Sequence, residues 1–300
     1  MSRAIKVFAI VFAVQLNAVA DVSPRPAELV LERALPIDGL ESAEPSGLGI
    51  RNGELFTVSD NHDTFIYKLR IEAERAVLEP AVPVSVPDGA RADFEGIAVD
   101  DAGDFYLASE SQFRILHVSA DGKRCAWITP SLKAPGEAAG LFKFRGGYIE
   151  GLARIDDAQF ILCAERQPRG LLYVGIENTP PLVEGFVLNE PSVQPRGIRF
   201  PDFTDLCAFD GALYALERNA EIISTIVRDG KRIDVKPWRS FRETADSPKY
   251  RYADRRFGTA EGLAMDAARL YIVLDNNGNA REANAEDRRP MLFVFTMPRP

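Results

Sequence analysis

The hydrophobic and polar positions of the chain repeat as a two-part phrase. The first part is a small or acidic residue followed by Gly-Leu-Ala or a close variant, and it begins at Ser46, Glu95, Glu150, Asp205 and Glu261. The second part is an apolar run that ends in an acid, at residues 55–60, 105–110, 160–165, 213–217 and 270–275. Turn-forming Asn, Asp and Gly residues lie between the two parts of most copies. Each phrase is therefore predicted to be a β-hairpin.

The copies begin roughly 50 residues apart, a period that suits the four-stranded blade of a β-propeller. Third strands are predicted at 65–69, 114–118, 171–174 and 221–226, and fourth strands at 126–128, 185–188 and 233–235. The last copy ends with the run 291–295 and has no fourth strand, whereas the strand at 28–32 belongs to no blade. The sequence thus predicts one all-β propeller over residues 21–300, closed by the N-terminal strand in the last blade. The repeat gives five blades, and six remain open if residues 131–147 contain a degenerate one.

The turn of each hairpin lies midway between its two terminal residues, so these residues are expected to lie opposite each other at the open end. Four hairpins then place acid opposite acid, and the first places Ser46 opposite Asp60. The acid pairs are Glu95 with Glu110, Glu150 with Glu165, Asp205 with Glu217, and Glu261 with Asp275. Since the inner strands of a propeller surround one channel, the acids are expected to converge at one mouth. Like charges in such a ring require a cation, arginines or protons.

A hard cation such as Ca²⁺ binds carboxylate, carbonyl and water oxygens, which this mouth could supply. The predicted metal ligands are the acids Asp60, Glu95, Glu110, Glu150, Asp205, Glu217 and Asp275. Asn61, Asn276 and Asn277 could add amide oxygens. The alternative is structural: the acids accept backbone N–H bonds or pair with Arg166 and Arg218. Both interpretations remain open at this point.

Several other residues are candidates for chemistry at the same mouth. Arg166 and Arg218, with Asn276, are the candidate ligand-binding residues, because guanidinium groups bind phosphate or carboxylate; arginines there could equally balance the acids. His62 follows Asp60 in a loop and is the histidine placed to act as a general base. His117 lies inside a predicted strand and is interpreted as a packed side chain. The sequence contains no Gly-x-Ser-x-Gly or His-Glu-x-x-His motif, so serine-hydrolase and zincin mechanisms lack support.

The N-terminus has the pattern of a signal peptide over residues 1–20: Arg3 and Lys6, a short apolar run, and Ala18-Val19-Ala20 before the cut. The mature chain is therefore expected in the periplasm or outside the cell, without a membrane span. The formal net charge of the full sequence, −8, argues against nucleic acid as a partner, and removal of Arg3 and Lys6 with the signal peptide makes the chain more negative. Cys125, Cys163 and Cys207 fall in predicted strands and are interpreted as unpaired apolar side chains, although one disulfide remains open.

The repeated hairpins resemble those of the phytase-like propeller family, described as having esterase-like activity of phytase. The resemblance rests on the segments 93–98, 163–170, 260–264 and 274–277, and it covers nearly all of the mature chain. The chain is also similar to the related SdiA-regulated propeller proteins. The resemblance implies an exported propeller with phosphoesterase chemistry and Ca²⁺, carried by Glu95, Glu110, Glu150, Glu165, Glu217, Glu261 and Asp275. The chain departs from the pattern at Ser46, which replaces an acid, and at Leu206, which replaces a glycine.

Two functions follow as hypotheses. In the first, the protein is a metal-assisted esterase or phosphoesterase in which Glu165 or Glu261 activates water and arginine steadies the anion of a small ester or phosphate-containing substrate. In the second, it is a non-catalytic propeller that binds a ligand or a protein, and the acids only brace the blades. The sequence names no substrate, protein partner or oligomeric state.

Overall fold

The computed structural model describes residues 25–298, and the predicted signal peptide lies outside this range. Within it the chain is almost entirely β-structure. The strands are β1 (Leu31–Asp38), β2 (Pro45–Arg51), β3 (Glu54–Ser59), β4 (Phe65–Ile71), β5 (Ala76–Pro83), β6 (Phe94–Val99), β7 (Phe105–Ser109), β8 (Arg114–Val118), β9 (Cys125–Trp127), β10 (Ile149–Arg154), β11 (Gln159–Ala164), β12 (Gly170–Gly175), β13 (Leu182–Val187), β14 (Asp205–Phe209), β15 (Ala212–Glu217), β16 (Ile222–Asp229), β17 (Arg232–Ser240), β18 (Ala260–Met265), β19 (Arg269–Leu274) and β20 (Met291–Thr296). Two short α-helices, α1 (Lys133–Ala138) and α2 (Arg242–Asp246), and a 3₁₀ turn (Pro87–Gly89) lie between strands. Among the described helices, none has the length and apolarity needed to cross a bilayer.

Most strands pair antiparallel with the strand that precedes or follows them in the chain. Strands β6–β9, β10–β13 and β14–β17 each form a four-stranded sheet, and the remaining eight strands form one sheet in the order β18-β19-β20-β1-β5-β4-β3-β2. The N-terminal strand pairs with the last strand, as expected, although it begins at Leu31 rather than at Glu28. It also pairs in parallel with β5 through Ile37 and Asp38. Since this pairing merges two sets of four strands, the number of blades stays a prediction.

The first strand of each hairpin faces the central axis. β2 contacts β6, β6 contacts β10, β10 contacts β14, β14 contacts β18, and β18 contacts β2, so these five strands close a ring. Apolar side chains pack between adjacent sheets around it; the rings of Phe56 and Phe105, for example, meet edge to face with centroids 5.2 Å apart. The molecule is therefore a single β-propeller, as the repeat predicts.

The glycine of the repeated phrase is explained by the tight approach of neighbouring inner strands. A Cβ atom on Gly151 would lie 2.5 Å from the Cα atom of Asp205, and one on Gly96 would lie 2.7 Å from the backbone nitrogen of Leu152. A Cβ atom on Gly262 would lie 2.6 Å from the carbonyl carbon of Gly47. Any larger residue at these positions would push two strands apart.

An extra residue interrupts the register of four hairpins at the repeated phrase. Phe94 pairs with Ser109 and Gly96 with Ala108, which leaves Glu95 as the added residue of a β-bulge. The same irregularity occurs at the start of β2, β10 and β18, but the β14–β15 hairpin, which lacks the glycine, pairs without it. The expectation that the acids lie directly opposite each other is therefore wrong. The backbone N–H of Glu110 donates to Asp93, two positions before Glu95.

All three cysteines are free, and Cys163 is fully buried. The interpretation of unpaired thiols inside strands is confirmed. Cys163 packs in the core between the β10–β13 and β14–β17 sheets, where a small apolar side chain fits.

Candidate functional site

The acids at the starts of the inner strands and after the second strands lie at one end of the propeller. There Arg218 binds three carboxylates: two of these acids, Glu165 and Glu261, and the nearby Asp202. Its guanidinium group binds the carboxylates of Glu165 and Glu261, and its Nε atom donates to Asp202 at 3.0 Å. Glu165 and Asp202 are fully buried, and Glu261 is nearly so. One arginine thus neutralises carboxylates from three separate segments, a geometry in which charge-assisted hydrogen bonds are strong.

Glu165 is the acid of this network that keeps an oxygen available. Its Oε1 atom accepts hydrogen bonds from Arg166 and Arg218, whereas its buried Oε2 atom has no partner among the described residues. Arg166 also binds the carbonyl oxygen of Gly146, and its guanidinium lies 5.5 Å from the ring centroids of both Phe144 and Phe200. A buried carboxylate oxygen without a donor is able to accept a proton or to bind a cation.

A second group of carboxylates lies beside this network without any arginine or lysine in an ion pair with it, within residues 25–298. Its members are Glu44, Asp60, Glu95, Glu110, Glu150 and Asp275. Burial, followed by the charges of Glu44 and Asp275, raises the pKa of Asp60 to about 8. Burial also raises the pKa of Asp275 to about 7, and the charge of Glu261 adds to the rise. Both carboxyl groups therefore titrate near neutral pH.

Glu95, Glu110 and Glu150, three members of this second group, repel one another. Burial raises the pKa of Glu95 well above its usual range, and the charges of Asp60 and Glu110 raise it further. The pKa of Glu150 is raised in the same way, by burial and then by Glu95 and Glu110. The predicted convergence of acids thus occurs for these three residues, together with Asp60, Glu165, Glu261 and Asp275. Repulsion among them is what a cation or protons would relieve.

Asp205 occupies a different position, at the axis of the propeller. Its carboxylate accepts backbone N–H bonds from Leu263 at 2.7 Å, Leu206 at 2.8 Å and Leu48 at 3.3 Å, which belong to three inner strands. Burial raises the pKa of Asp205 well above its usual range, and these N–H donors oppose the rise. Its oxygens are engaged by the backbone, so Asp205 ties the inner strands together, as the structural alternative expects.

Glu217 also lies away from the arginine-free group. It forms a buried ion pair with Arg169 at 2.6 Å and accepts hydrogen bonds from the hydroxyl groups of Ser192 and Ser224. Because successive residues of a strand point to opposite faces, Glu217 points away from the network of the adjacent Arg218.

His62 contacts the backbone of the β1–β2 loop, and Asn276 contacts the backbone of its own loop. The Nε2 atom of His62 lies 3.0 Å from the carbonyl oxygen of Glu41. The side-chain amide of Asn276 donates to the carbonyl oxygens of Asn279 and Arg288, at 2.5 and 2.7 Å. Their predicted roles in catalysis and ligand binding stay predictions.

The chemistry of the mouth fits a hard cation, but a ready set of ligands is not present. The candidate metal ligands of the mouth are carboxylate oxygens, and buried oxygens of Asp60 and Glu165 have no hydrogen-bond partner within residues 25–298. In the part of the chain that the structure describes, however, no three His, Cys, Asp or Glu side chains are already arranged to hold a metal ion. A bound Ca²⁺ would have to draw side chains together.

Sequence reasoning missed three acids of this site: Glu44, Asp93 and Asp202. Glu44 contacts Asp60, Asp93 lies near Glu110, and Asp202 binds Arg218. A signal was present for the first two, since each lies two residues before a repeated phrase. Because of the bulge, the residue two positions before the phrase, rather than its first residue, pairs with the terminal acid of the hairpin.

Comparisons with known proteins agree with this architecture. The model of the phytase-like family, described as esterase-like activity of phytase, matches residues 43–278. Among curated proteins none matches the sequence. Glutaminyl cyclase of Myxococcus xanthus is similar in structure, with 14% identity, 91% of this chain and 100% of that chain covered, and a TM-score of 0.54. For the PQQ-bound aldose sugar dehydrogenase of Streptomyces coelicolor these values are 16%, 90%, 99% and 0.46. The similarity to the cyclase concerns the fold alone.

Proposed function

Because the chain belongs to the phytase-like family, we propose that it is an exported hydrolase of ester or phosphoester bonds whose reaction takes place among the carboxylates at the mouth of the propeller. The observation that carries the proposal is the buried Oε2 atom of Glu165, which lies beside two guanidinium groups and has no hydrogen-bond partner in the described part of the chain. A proton acceptor next to fixed positive charge is the combination that hydrolysis of an anionic or polarised ester requires.

Each group has a role that its contacts support. Glu165 accepts a proton from water through Oε2, and the resulting hydroxide attacks the carbonyl carbon or phosphorus of the substrate. Arg166, which is partly exposed, binds the oxygen on which negative charge develops, while Arg218 holds Glu165 and Glu261 in place. Asp275, whose pKa is about 7, donates a proton to the departing alkoxide. Glu261 then passes a proton from Glu165 to Asp275, which restores the starting protonation states of both residues.

Ca²⁺ is part of the proposal for the arginine-free group. Asp60, Glu95 and Glu110 would hold the ion, since all three are acids without an ion pair in the described chain. When bound, the ion would neutralise these carboxylates and polarise an oxygen of the substrate.

A non-catalytic binding propeller is the second candidate, and one observation favours it. Asp205 and Glu217 are fully engaged by backbone N–H groups, an arginine and hydroxyl groups, so at least part of the acidic repeat stabilises the fold. In that case the remaining acids would also serve the structure, and the mouth would bind a ligand or a protein without turnover.

A substrate panel distinguishes the two candidates. The purified mature protein is incubated with p-nitrophenyl acetate, p-nitrophenyl phosphate and bis-p-nitrophenyl phosphate, in CaCl₂ and in EDTA. Hydrolysis of any of these that rises with CaCl₂ supports the enzyme and its cation. Hydrolysis that is equal in both conditions supports the enzyme without Ca²⁺, and no hydrolysis of any substrate supports the binding protein. Mass spectrometry of the exported protein tests export: the mature chain is expected to begin at Asp21.

A further inference from the structure

A second concave surface lies at the opposite end of the strands that carry the acids. It is a cleft of about 970 Å³ between the β10–β13 and β14–β17 sheets, and we call it the turn-side cleft. β10 begins beside Glu150 of the acidic mouth and ends at Arg154, which lines the cleft; β14 runs in the same sense from Asp205 to Phe209. The volume is within the range of roughly 300–1,000 Å³ typical of small-molecule sites.

The wall and the rim of the turn-side cleft are apolar. Ile161, Leu213 and Ile226 form part of the buried wall. At the rim, Leu182 is 68% exposed, Val227 50% and Ile155 45%, and they belong to three different segments of the two sheets. Exposed aliphatic side chains that gather around one concavity mark a site of interaction rather than scattered surface residues.

The charged side chains of the cleft either have an ion-pair partner or carry a negative charge that repels an anion. Arg228 of β16 pairs with Glu184 of β13 across the cleft, and its guanidinium lies 4.4 Å from the ring centroid of Tyr173. At the rim, the exposed Glu177 and Asp210 disfavour a negatively charged ligand. An uncharged ligand is not repelled by these acids, and it binds without breaking the ion pair between Arg228 and Glu184.

One hydrogen-bond donor remains at the inner end of the cleft. Arg154 binds Asp157, but its Nε–H group has no acceptor within residues 25–298. Arg154 also lines the lower part of the central channel, so it stands where the cleft and the channel meet. The guanidinium lies 5.9 Å from the ring centroid of Tyr106, and a change of the Arg154 rotamer would present the N–H group to an oxygen of a ligand.

We propose that the turn-side cleft binds an uncharged, apolar small molecule that carries a hydrogen-bond-accepting oxygen. The body of the molecule packs on Ile161, Leu213 and the aliphatic rim, and its oxygen accepts from Arg154. The site is separate from the acidic mouth, so it does not depend on the hydrolase proposal.

Fluorescence titration tests this site. The neutral probe 6-propionyl-2-dimethylaminonaphthalene has a carbonyl oxygen, and its emission shifts to the blue when it leaves water. The mature protein is expected to bind it saturably, with one probe per chain. Ala212→Trp, which fills the cleft, should abolish binding, and Leu182→Ser at the exposed rim should weaken it about tenfold, or about 1.4 kcal/mol. The matched control Ala268→Trp, in the corresponding turn of the β18–β19 hairpin, should bind as the parent does.

Three results would overturn the proposal. Binding that does not saturate, or that is equal in the Ala212→Trp and Ala268→Trp variants, would show that the probe does not occupy the cleft. Tighter binding of the anionic probe 8-anilinonaphthalene-1-sulfonate would contradict the choice of an uncharged ligand. A concentration-dependent dimer in sedimentation velocity that Ala212→Trp dissociates would identify the cleft as an interface between two copies. Equal melting temperatures of parent and variants show that the changes act locally.

Discussion

Replacing Arg218 by methionine tests the electrostatics of the mouth, because it removes one cation from three carboxylates and leaves an unbranched apolar side chain in its place. Glu165 is 1% exposed, Asp202 is 0% exposed and Glu261 is 8% exposed, so bulk water would solvate these carboxylates poorly after their partner is lost. Removal of one member of a buried ion pair destabilises a protein by about 3–5 kcal/mol. We therefore expect Arg218→Met to lower the free energy of unfolding at pH 7.5 by about that amount.

The pH dependence of this loss follows from the sign of the pKa change. Without Arg218 the pKa values of the buried carboxyl groups rise in the folded state. The folded protein then binds more protons than the unfolded chain, and it becomes less stable as pH increases through the raised pKa values. The difference between parent and variant should therefore shrink toward pH 5, where the carboxyl groups are protonated.

Urea unfolding followed by the fluorescence of Trp127 and Trp238 measures these free energies. The matched control is Arg70→Met, which removes an exposed arginine paired with Glu72 and Glu79 and should leave the stability nearly unchanged. Arg218 does not neutralise the buried carboxylates as described if Arg218→Met is no more destabilising than the control, or if its effect on stability grows as the pH falls.

Three further predictions concern the axis, the inner strands and the titrating acids. Asp205→Leu leaves backbone N–H groups of three strands without their acceptor, each worth about 1–3 kcal/mol, so we expect a loss of several kcal/mol in urea unfolding. An unchanged unfolding midpoint would contradict its role at the axis. Gly151→Ala places a Cβ atom 2.5 Å from a backbone atom and should destabilise by about 1–3 kcal/mol, whereas Gly175→Ala, whose nearest neighbour lies at 3.9 Å, should have little effect. Equal melting temperatures of these two variants would argue against tight strand contact. In EDTA, the stabilisation from Asp60 and Asp275 is present at low pH and lost as pH rises through 7 to 8, so the melting temperature should fall from pH 5 to pH 8.5. The double variant D60N/D275N should flatten this slope, and a parent protein that melts higher at pH 8.5 would contradict the pKa values.

The sequence predicts the hairpins and the fold because both depend on local periodicity. The second strand of the second copy, for example, begins at Phe105 as predicted and ends at Ser109, one residue before the terminal acid. The same offset occurs at Asp60, Glu165 and Asp275. The pairing of the N-terminal strand with β20 also follows from counting strands, since the last hairpin lacked a fourth strand and the first residues offered one.

The partners of the acids could not be predicted from the sequence, because they are set by packing between distant segments. The carboxylate of Asp205 binds the N–H group of Leu48, 157 residues away. Arg218 follows Glu217 directly but binds Glu165, 53 residues away. The bulge that moves Glu95 out of register is a property of the strand pair, and only the glycine after it gives a sign of it in the sequence.

The variant Glu165→Gln tests most directly whether the carboxylates beside Arg218 carry out hydrolysis. The amide keeps the shape of the side chain but cannot accept the proton of water, so the rate on the best substrate of the panel should fall by about 10²–10⁴-fold. The matched control Glu54→Gln, at the exposed first position of β3, should retain the parent rate. Unchanged turnover by Glu165→Gln, assayed below the melting temperature of the variant, would show that Glu165 is not the proton acceptor.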